Sequence, residues 1–197
     1  MTGIKQDIIN TGLETAVIGM AGAFPGALDI DAFWENLKAG VESISFFSKE
    51  EQESMENDPA LLDNPNYVKA GAVLEKRAYF DSSFFGYTTL EAEVMDPQVR
   101  VFLQCCWHAL EHAGYDPGTY PRLIGLYAGA SLDFYWEVLG LLSGKTDILG
   151  SFGTSLLKKD FLCTRTAYML NLKGPAIFVQ SACSTSLVAI HLASQGL

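Results

Sequence analysis

The stretch that most limits what this chain can fold into lies near its end, at residues 176–193. It begins with an apolar run of strand length, breaks at small residues around Cys183, and continues as a long apolar segment with helical character. This pattern predicts a buried strand that turns directly into a buried helix. Cys183 then occupies the corner between the two elements.

Cys183 is a candidate nucleophile because of this position. Near the first turn of a helix, unpaired N–H groups and the positive end of the helix dipole favour a thiolate. The neighbouring Ala182, Ser184 and Ser186 are small, so a substrate carbonyl has room to reach the sulfur. Backbone N–H groups at the corner are available to hold an oxyanion. The corner therefore suits acyl transfer to sulfur.

The residues of this corner also resemble a known motif. The run Ser-Ala-Cys-Ser-Thr-Ser-Leu-Val-Ala, followed by Ile-His-Leu-Ala, is similar to the nucleophile motif of β-ketoacyl synthases. It is closest to the ketosynthase domains of bacterial modular type I polyketide synthases. Phe-Asp-Ser-Ser-Phe-Phe at 80–85 and Met-Asp-Pro-Gln-Val-Arg at 95–100 resemble further segments of the same family. The resemblance covers residues 14–197 nearly without a gap.

The resemblance implies a thiolase-like α/β fold with layers in the order αβαβα. Residues 14–197 would be the N-terminal part of a ketosynthase domain, an incomplete first half that stops after the nucleophile helix. The polar, aperiodic residues 1–13 are interpreted as a leader or linker.

The resemblance further implies a reaction and partners. Cys183 would accept an acyl chain from the phosphopantetheine arm of an acyl carrier protein and extend it by decarboxylative Claisen condensation with a malonyl-type thioester. No cofactor bound by the chain itself is implied. The partners would be the carrier protein, other domains of a multidomain synthase, and a second copy that pairs through the strand at about 176–180.

In ketosynthases two histidines and a lysine that follow the cysteine assist condensation, and this chain offers no substitute for them. His191 lies eight positions after Cys183 on the same predicted helix, ~12 Å along its axis and beyond hydrogen-bond reach. His108 and His112 belong to the end of another helix, where the dipole accounts for His112. We therefore expect a fragment that is inactive in condensation by itself.

Three other functions share the cysteine. A thiolase acting on coenzyme A esters would use the same corner, although the Asp-Pro-Gln helix and the Cys-Ser-Thr-Ser run fit polyketide ketosynthases better. A cysteine hydrolase lacks an assignable histidine base, and C-G-[SA]-C-[WY] is absent. A non-elongating ketosynthase would keep the cysteine and only transfer acyl chains.

Composition narrows the remaining classes. A net charge of −10 argues against nucleic acid or an anionic membrane as partner. Because the carrier proteins that the resemblance implies are typically acidic as well, carrier docking would need a local basic patch. Neither a signal segment nor an apolar run of membrane-spanning length occurs, and a cytoplasmic protein is expected. No metal site is predicted, because no zinc-ligand spacing occurs. Lys158, Lys159, Arg165 and Lys173 are the candidates for this patch, although the pattern favours a solvated helix face over a docking surface. Helical patterns predict packed, unreactive thiols at Cys105, Cys106 and Cys163.

The apolar patterns predict the main strands and helices. Buried strands are expected at 15–21, 123–130 and 176–180. A helix is expected over 154–170, and its apolar stripe consists of Leu157, Phe161, Thr164 and Tyr168.

Capping residues predict where further helices begin and end. Asp31 would cap a helix that Gly40 stops. Thr88 and Glu91 form a capping-box pattern. Asp96-Pro97 would open a long helix that Gly114 closes, while the acidic residues 48–66 form a surface loop.

Overall fold

The computed structural model describes residues 14–48, 50–51, 64–132 and 134–197. The predicted leader at 1–13 and most of the predicted acidic loop at 48–66 lie outside this part of the chain. The described helices are α1 (Ile30–Ala39), α2 (Thr89–Val94), α3 (Pro97–Ala113), α4 (Tyr135–Leu142), α5 (Lys145–Leu157), α6 (Leu162–Met169) and α7 (Thr185–Gln195). The strands are β1 (Ser45–Phe46), β2 (Ala70–Gly71), β3 (Leu126–Ala128) and β4 (Ala176–Phe178).

The strands β3 and β4 form a parallel pair, with Leu126 opposite Ala176 and Ala128 opposite Phe178. The helix α6 packs against both strands, and α7 packs against β3. Both strands fall within the predicted apolar runs but are shorter. The apolar core beside them is built mainly from α2, α3, α5 and α6, and its most buried members are Val94, Met95, Val99, Leu103, Leu156, Leu157, Leu162 and Cys163.

The predicted helix termini are largely confirmed. Thr88 and Glu91 form the reciprocal capping box of α2. Asp96 caps α3, because its carboxylate accepts the N–H of Gln98 at 2.7 Å, and Pro97 is the first helical residue. Gly114 and Gly40 end their helices in the left-handed conformation. These signals operate within a few residues, so tertiary packing did not override them.

The cap predicted at Asp31 is wrong, because Asp29 holds that position. The carboxylate of Asp29 accepts the N–H of Ala32 at 2.8 Å, and α1 therefore begins at Ile30. Asp31 lies inside the first turn instead, where its negative charge still complements the helix dipole.

The strand predicted at 15–21 is also wrong. Residues 14–23 form no ladder with any described strand. Val17 and Ile18 are 77% and 61% exposed. The segment instead lies along α3, where a Cβ on Gly19 would stand only 2.6 Å from the carbonyl oxygen of Ala109. An apolar run becomes a strand only where a neighbour accepts its backbone hydrogen bonds, and that neighbour is not among the described residues.

The helix predicted over 154–170 is broken into two. Lys158 has an extended backbone, and a 3₁₀ turn at Lys159–Phe161 separates α5 from α6. The break turns the side chain of Lys159 inward, where its ammonium lies 3.2 Å from the carboxylate of Asp96, and both side chains are buried. A buried carboxylate needs such a partner, so this ion pair joins the start of α3 to the start of α6.

This break also changes which face of the segment is buried. Phe161 and Tyr168 of the predicted stripe are 43% and 83% exposed, whereas the rotated α6 buries other side chains. Two members of the predicted basic patch are engaged internally as well. Lys159 pairs with Asp96, and the guanidinium of Arg165 donates to the carbonyl oxygen of Ser155 at 2.7 Å. The patch of four cations is therefore wrong, and only Lys158 and Lys173 of the four stay exposed.

Candidate active site

Cys183 lies in a short 3₁₀ turn, Ala182–Ser184, between β4 and α7. Its side chain is exposed, as a thiol that meets a substrate must be. Ala182 has a φ of 51°, in the left-handed region that residues other than glycine seldom adopt. The chain therefore makes a sharp, strained corner immediately before the cysteine. The structure places Cys183 at the predicted corner, one turn ahead of the α-helix.

The hydroxyl of Thr185 ties this corner together. It accepts the N–H of Ser181 at 3.0 Å and lies 2.8 Å from the carbonyl oxygen of Ala182, to which it can donate. The hydroxyl of Ser184 donates to the carbonyl oxygen of Ser181 at 2.8 Å. Small hydroxyl side chains thus replace the backbone pairing that neither strand nor helix provides at the corner. No pattern in the sequence had indicated this role for Thr185.

The cysteine opens into a cleft of about 1360 Å³. One wall is the loop after β3, at residues 129–132, and the other is the first half of α7 with Ser186, Ala189 and Ile190. Most of the lining is apolar or small, which suits an aliphatic chain better than a charged ligand. No histidine or lysine lines the cleft in the part of the chain that the structure describes.

Gly129, the first residue of the loop after β3, lies very close to the segment that leads from β4 to the corner. A Cβ at this position would collide with the carbonyl oxygen of Val179 and with the methyl group of Thr185. Glycine is therefore required for β3 to pass beside the corner that carries Cys183. Gly129 could not be identified from the sequence, because a glycine after an apolar run is equally typical of an ordinary turn.

We expect Gly129→Ala to lower the free energy of unfolding by at least about 2 kcal/mol, since the backbone must move to admit the methyl group. The measurement is the midpoint of urea unfolding. The matched control is Gly71→Ala, whose Cβ would lie 3.3 Å from the ring of Phe47, a side chain that can yield. We expect the control to cost less than about 1 kcal/mol. Equal losses in both variants would contradict a special close approach at Gly129.

The three histidines lie away from the cysteine cleft. His108 contacts Glu111 at 3.1 Å, and the Nδ1 atom of His112 accepts the backbone N–H of Met20 at 2.9 Å. Both line a separate pocket of about 660 Å³ beside α1 and α3. This hydrogen bond explains the presence of His112 at the end of α3, so an interaction of a charged imidazole with the helix dipole is not needed. His191 is exposed on α7 and does not line the cleft.

The other cysteines are packed thiols, as predicted. Burial raises the pKa of Cys105, and it raises the pKa of Cys106 to about 12. Burial also raises the pKa of Cys163, whose thiol donates to the carbonyl oxygen of Ile177 at 3.2 Å. A thiol held in its neutral form is a poor nucleophile. Cys183 is therefore the one exposed candidate of the four.

Neither a metal centre nor a membrane span is found in the described residues. No group of three or more His, Cys, Asp or Glu side chains there is arranged to hold a metal ion. No helix in the same ranges has the length and apolar character needed to cross a bilayer.

The parallel β3–β4 pair, the helices packed against it and the exposed cysteine ahead of α7 define an α/β protein of the thiolase-like class. Solved ketosynthases share this fold. Ketosynthase twelve of the bacillaene polyketide synthase from Bacillus amyloliquefaciens superposes with a TM-score of 0.80 at 37% identity, over 91% of this chain and 31% of that one. The ketosynthase from module 1 of the bacillaene synthase of that organism gives 0.75 at 37% identity, over 92% of this chain and 32% of that one.

The chain belongs to the β-ketoacyl synthase family. The family model for the N-terminal domain of β-ketoacyl synthases matches residues 14–197. A phenolphthiocerol/phthiocerol polyketide synthase protein of Mycobacterium tuberculosis is 46% identical over 191 residues, which are 92% of this chain and 13% of that protein. Polyketide synthase PksM of Bacillus subtilis is 36% identical over 199 residues, or 94% of this chain and 4% of its own length. The chain thus spans a small part of these relatives.

Proposed function

We propose that the chain is the N-terminal part of a ketosynthase domain in a modular polyketide synthase, and that Cys183 is its acyl acceptor. The observation that carries this proposal is the exposed thiol at a strained strand–helix corner, open to a largely apolar cleft of about 1360 Å³. The family membership and the names of the relatives support the same reaction.

In the first step the Cys183 thiolate attacks the carbonyl carbon of an acyl thioester carried on the phosphopantetheine arm of a carrier protein. A sulfur–carbon bond forms, the oxyanion collapses, and the carrier thiol leaves with the proton that Cys183 gave up. The positive end of α7 lies directly after the cysteine, where it favours the oxyanion. The cleft then holds the acyl chain.

In the second step a malonyl-type thioester loses carbon dioxide, and the resulting carbanion attacks the acyl-Cys183 carbonyl to form a carbon–carbon bond. The carbon–sulfur bond to Cys183 then breaks, so the Cys183 thiolate is released and the β-ketoacyl chain stays on the carrier that brought the malonyl group. Donors must stabilise the enolate oxygen of the extender. The described cleft contains no histidine or lysine for this task. We therefore propose that these donors come from residues of the gene product outside the described cleft.

The test supplies the full-length gene product with an acyl-carrier thioester and then with malonyl-carrier protein. We expect an acyl mass on the peptide that contains Cys183, followed by a β-ketoacyl product. Acylation without product would identify a non-elongating ketosynthase, which only transfers chains. Absence of any acyl adduct would overturn the proposal.

We also propose that the gene product is a homodimer that pairs through β4. Within the described residues β4 pairs only with β3, and Ile177 on β4 is 43% exposed. A second strand at this edge would satisfy the backbone groups and cover the apolar side chain. We expect a dimer in sedimentation velocity at micromolar concentration. A monomer under these conditions would contradict the pairing.

A further inference from the structure

The side chain of Gln180 connects the two walls of the cleft. Its amide nitrogen Nε2 donates to the carbonyl oxygen of Ala130 at 2.8 Å, in the loop after β3. Its oxygen Oε1 accepts the backbone N–H of Ala182 at 2.8 Å and lies 3.1 Å from the hydroxyl of Thr185. One amide therefore uses its donor on one wall and its acceptor on the corner that carries Cys183.

The bond to Ala182 falls on the most strained residue of the corner. Ala182 holds a φ of 51°, which an alanine adopts only when the surroundings determine it. The oxygen of Gln180 supplies part of this determination by accepting the N–H of Ala182. If the bond were lost, the backbone would be free to relax toward a negative φ, and Cys183, the next residue, would move with it.

The bond to Ala130 falls on a loop that a second amide also holds. The oxygen Oε1 of Gln98 accepts the N–H of Ser131 at 2.9 Å. Ala130 and Ser131 both line the cleft opposite the corner. Gln98 attaches this loop to α3, whereas Gln180 attaches it to the cysteine corner. Gln180 thus links the position of the loop to the position of the thiol.

We propose that Gln180 is a positioning residue that holds the strained corner of Cys183 at a set distance from the facing loop, so that a bound thioester meets the sulfur in a reactive geometry. The inference rests on the proposed acyl transfer for its rate measurement, but not for its structural measurement. A neutral amide serves this role without placing a charge beside the thiolate. Small misplacements of a reacting group lower the rate strongly while binding is kept.

The experiment compares the full-length gene product with its Gln180→Met variant, which removes donor and acceptor at similar volume. We expect about a tenfold lower maximal rate of Cys183 acylation by an acyl-pantetheine thioester, with KM changed by less than about twofold. Hydrogen exchange of the peptide covering residues 179–186, followed by mass spectrometry, should become faster in the same variant. The matched control is Gln195→Met, which makes the same glutamine-to-methionine substitution at an exposed position at the far end of α7. We expect this variant to behave as the wild type.

Gln180→Glu separates the two functions of the amide. A carboxylate still accepts the N–H of Ala182 but cannot donate to Ala130, so we expect wild-type exchange at residues 179–186 and faster exchange in the peptide that contains residues 129–132. Unchanged exchange in Gln180→Met would overturn the positioning role, as would an effect confined to KM. If the wild type accepted no acyl group, the proposed function would fail, and hydrogen exchange would still decide whether Gln180 holds the corner.

Discussion

Replacing Cys183 by alanine is expected to abolish acyl transfer to the protein, because alanine has no atom with which to form the thioester. The fold should survive, since the side chain is exposed and contributes little to the core. The measurement is intact-protein mass spectrometry after incubation with an acyl-carrier thioester, combined with the midpoint of urea unfolding. We expect no adduct and a midpoint close to that of the wild type.

The matched control for this substitution is Cys105→Ala. Cys105 is partly buried in the separate pocket beside α3, and burial raises its pKa. We expect this variant to acquire the acyl mass at the wild-type rate. An adduct that persists in Cys183→Ala would show that another group is the acceptor. Loss of the adduct in both variants would show that the substitutions disturb the fold, and that the loss in Cys183→Ala is not due to the missing sulfur alone.

The second large effect is the absence of condensation by the 197-residue chain alone. Loss of one preorganised donor to an oxyanion costs ~10²–10³ in rate. The described cleft has neither a histidine nor a lysine to act as such a donor. We therefore expect acyl-Cys183 to form on this chain and no β-ketoacyl product to follow when malonyl-carrier protein is added, as judged by mass spectrometry.

The comparison for this prediction is the full-length gene product under identical conditions, with its Cys183→Ala variant as the blank. Product from the 197-residue chain at a rate comparable to the full-length protein would contradict the prediction. It would show that His191, His108 or His112 reaches the substrate after all, although none of them lines the cleft of Cys183.

The apolar surface of the structure fits a protein that needs further cover. The sequence predicted a buried helix after Cys183, and such a helix needs neighbours that cover its apolar residues. On α7, Leu187 and Ile190 are 70% and 63% exposed. Exposed apolar area of this kind is covered in a working protein by more of the same chain or by a partner.

The features that the sequence predicted correctly depend on short-range interactions. The capping box of Thr88 and Glu91, the cap at Asp96 and the stop at Gly114 each involve groups a few residues apart. Such contacts join residues that are close in the chain, so a local sequence pattern is enough to indicate them. The corner at Cys183 was predictable for the same reason, because a change from strand to helical pattern around small residues is a local signal.

The secondary-structure predictions that were wrong concern segments whose conformation depends on contacts with residues far away in the chain. Residues 15–21 have the pattern of a strand, but they lie along α3 without a described strand partner. Residues 154–170 have the pattern of one helix, but a 3₁₀ turn separates α5 from α6. Lys159 in this turn forms a buried ion pair with Asp96. Helix or strand propensity is too weak to decide the conformation of such segments. One buried ion pair, or the lack of a strand with which to form hydrogen bonds, outweighs it.

The sequence by itself determined the family, the nucleophile candidate Cys183 and the caps that start α2 and α3. Each of these features depends on residues that are close together in the chain. Only the tertiary structure showed that Gly129 must lack a side chain and that the amide of Gln180 joins the corner to the facing loop. Gln180 and Ala130 stand 50 residues apart in the chain. Hydrogen bonds and close approaches between such distant segments depend on how β3, β4 and α7 pack, and no local pattern encodes that packing.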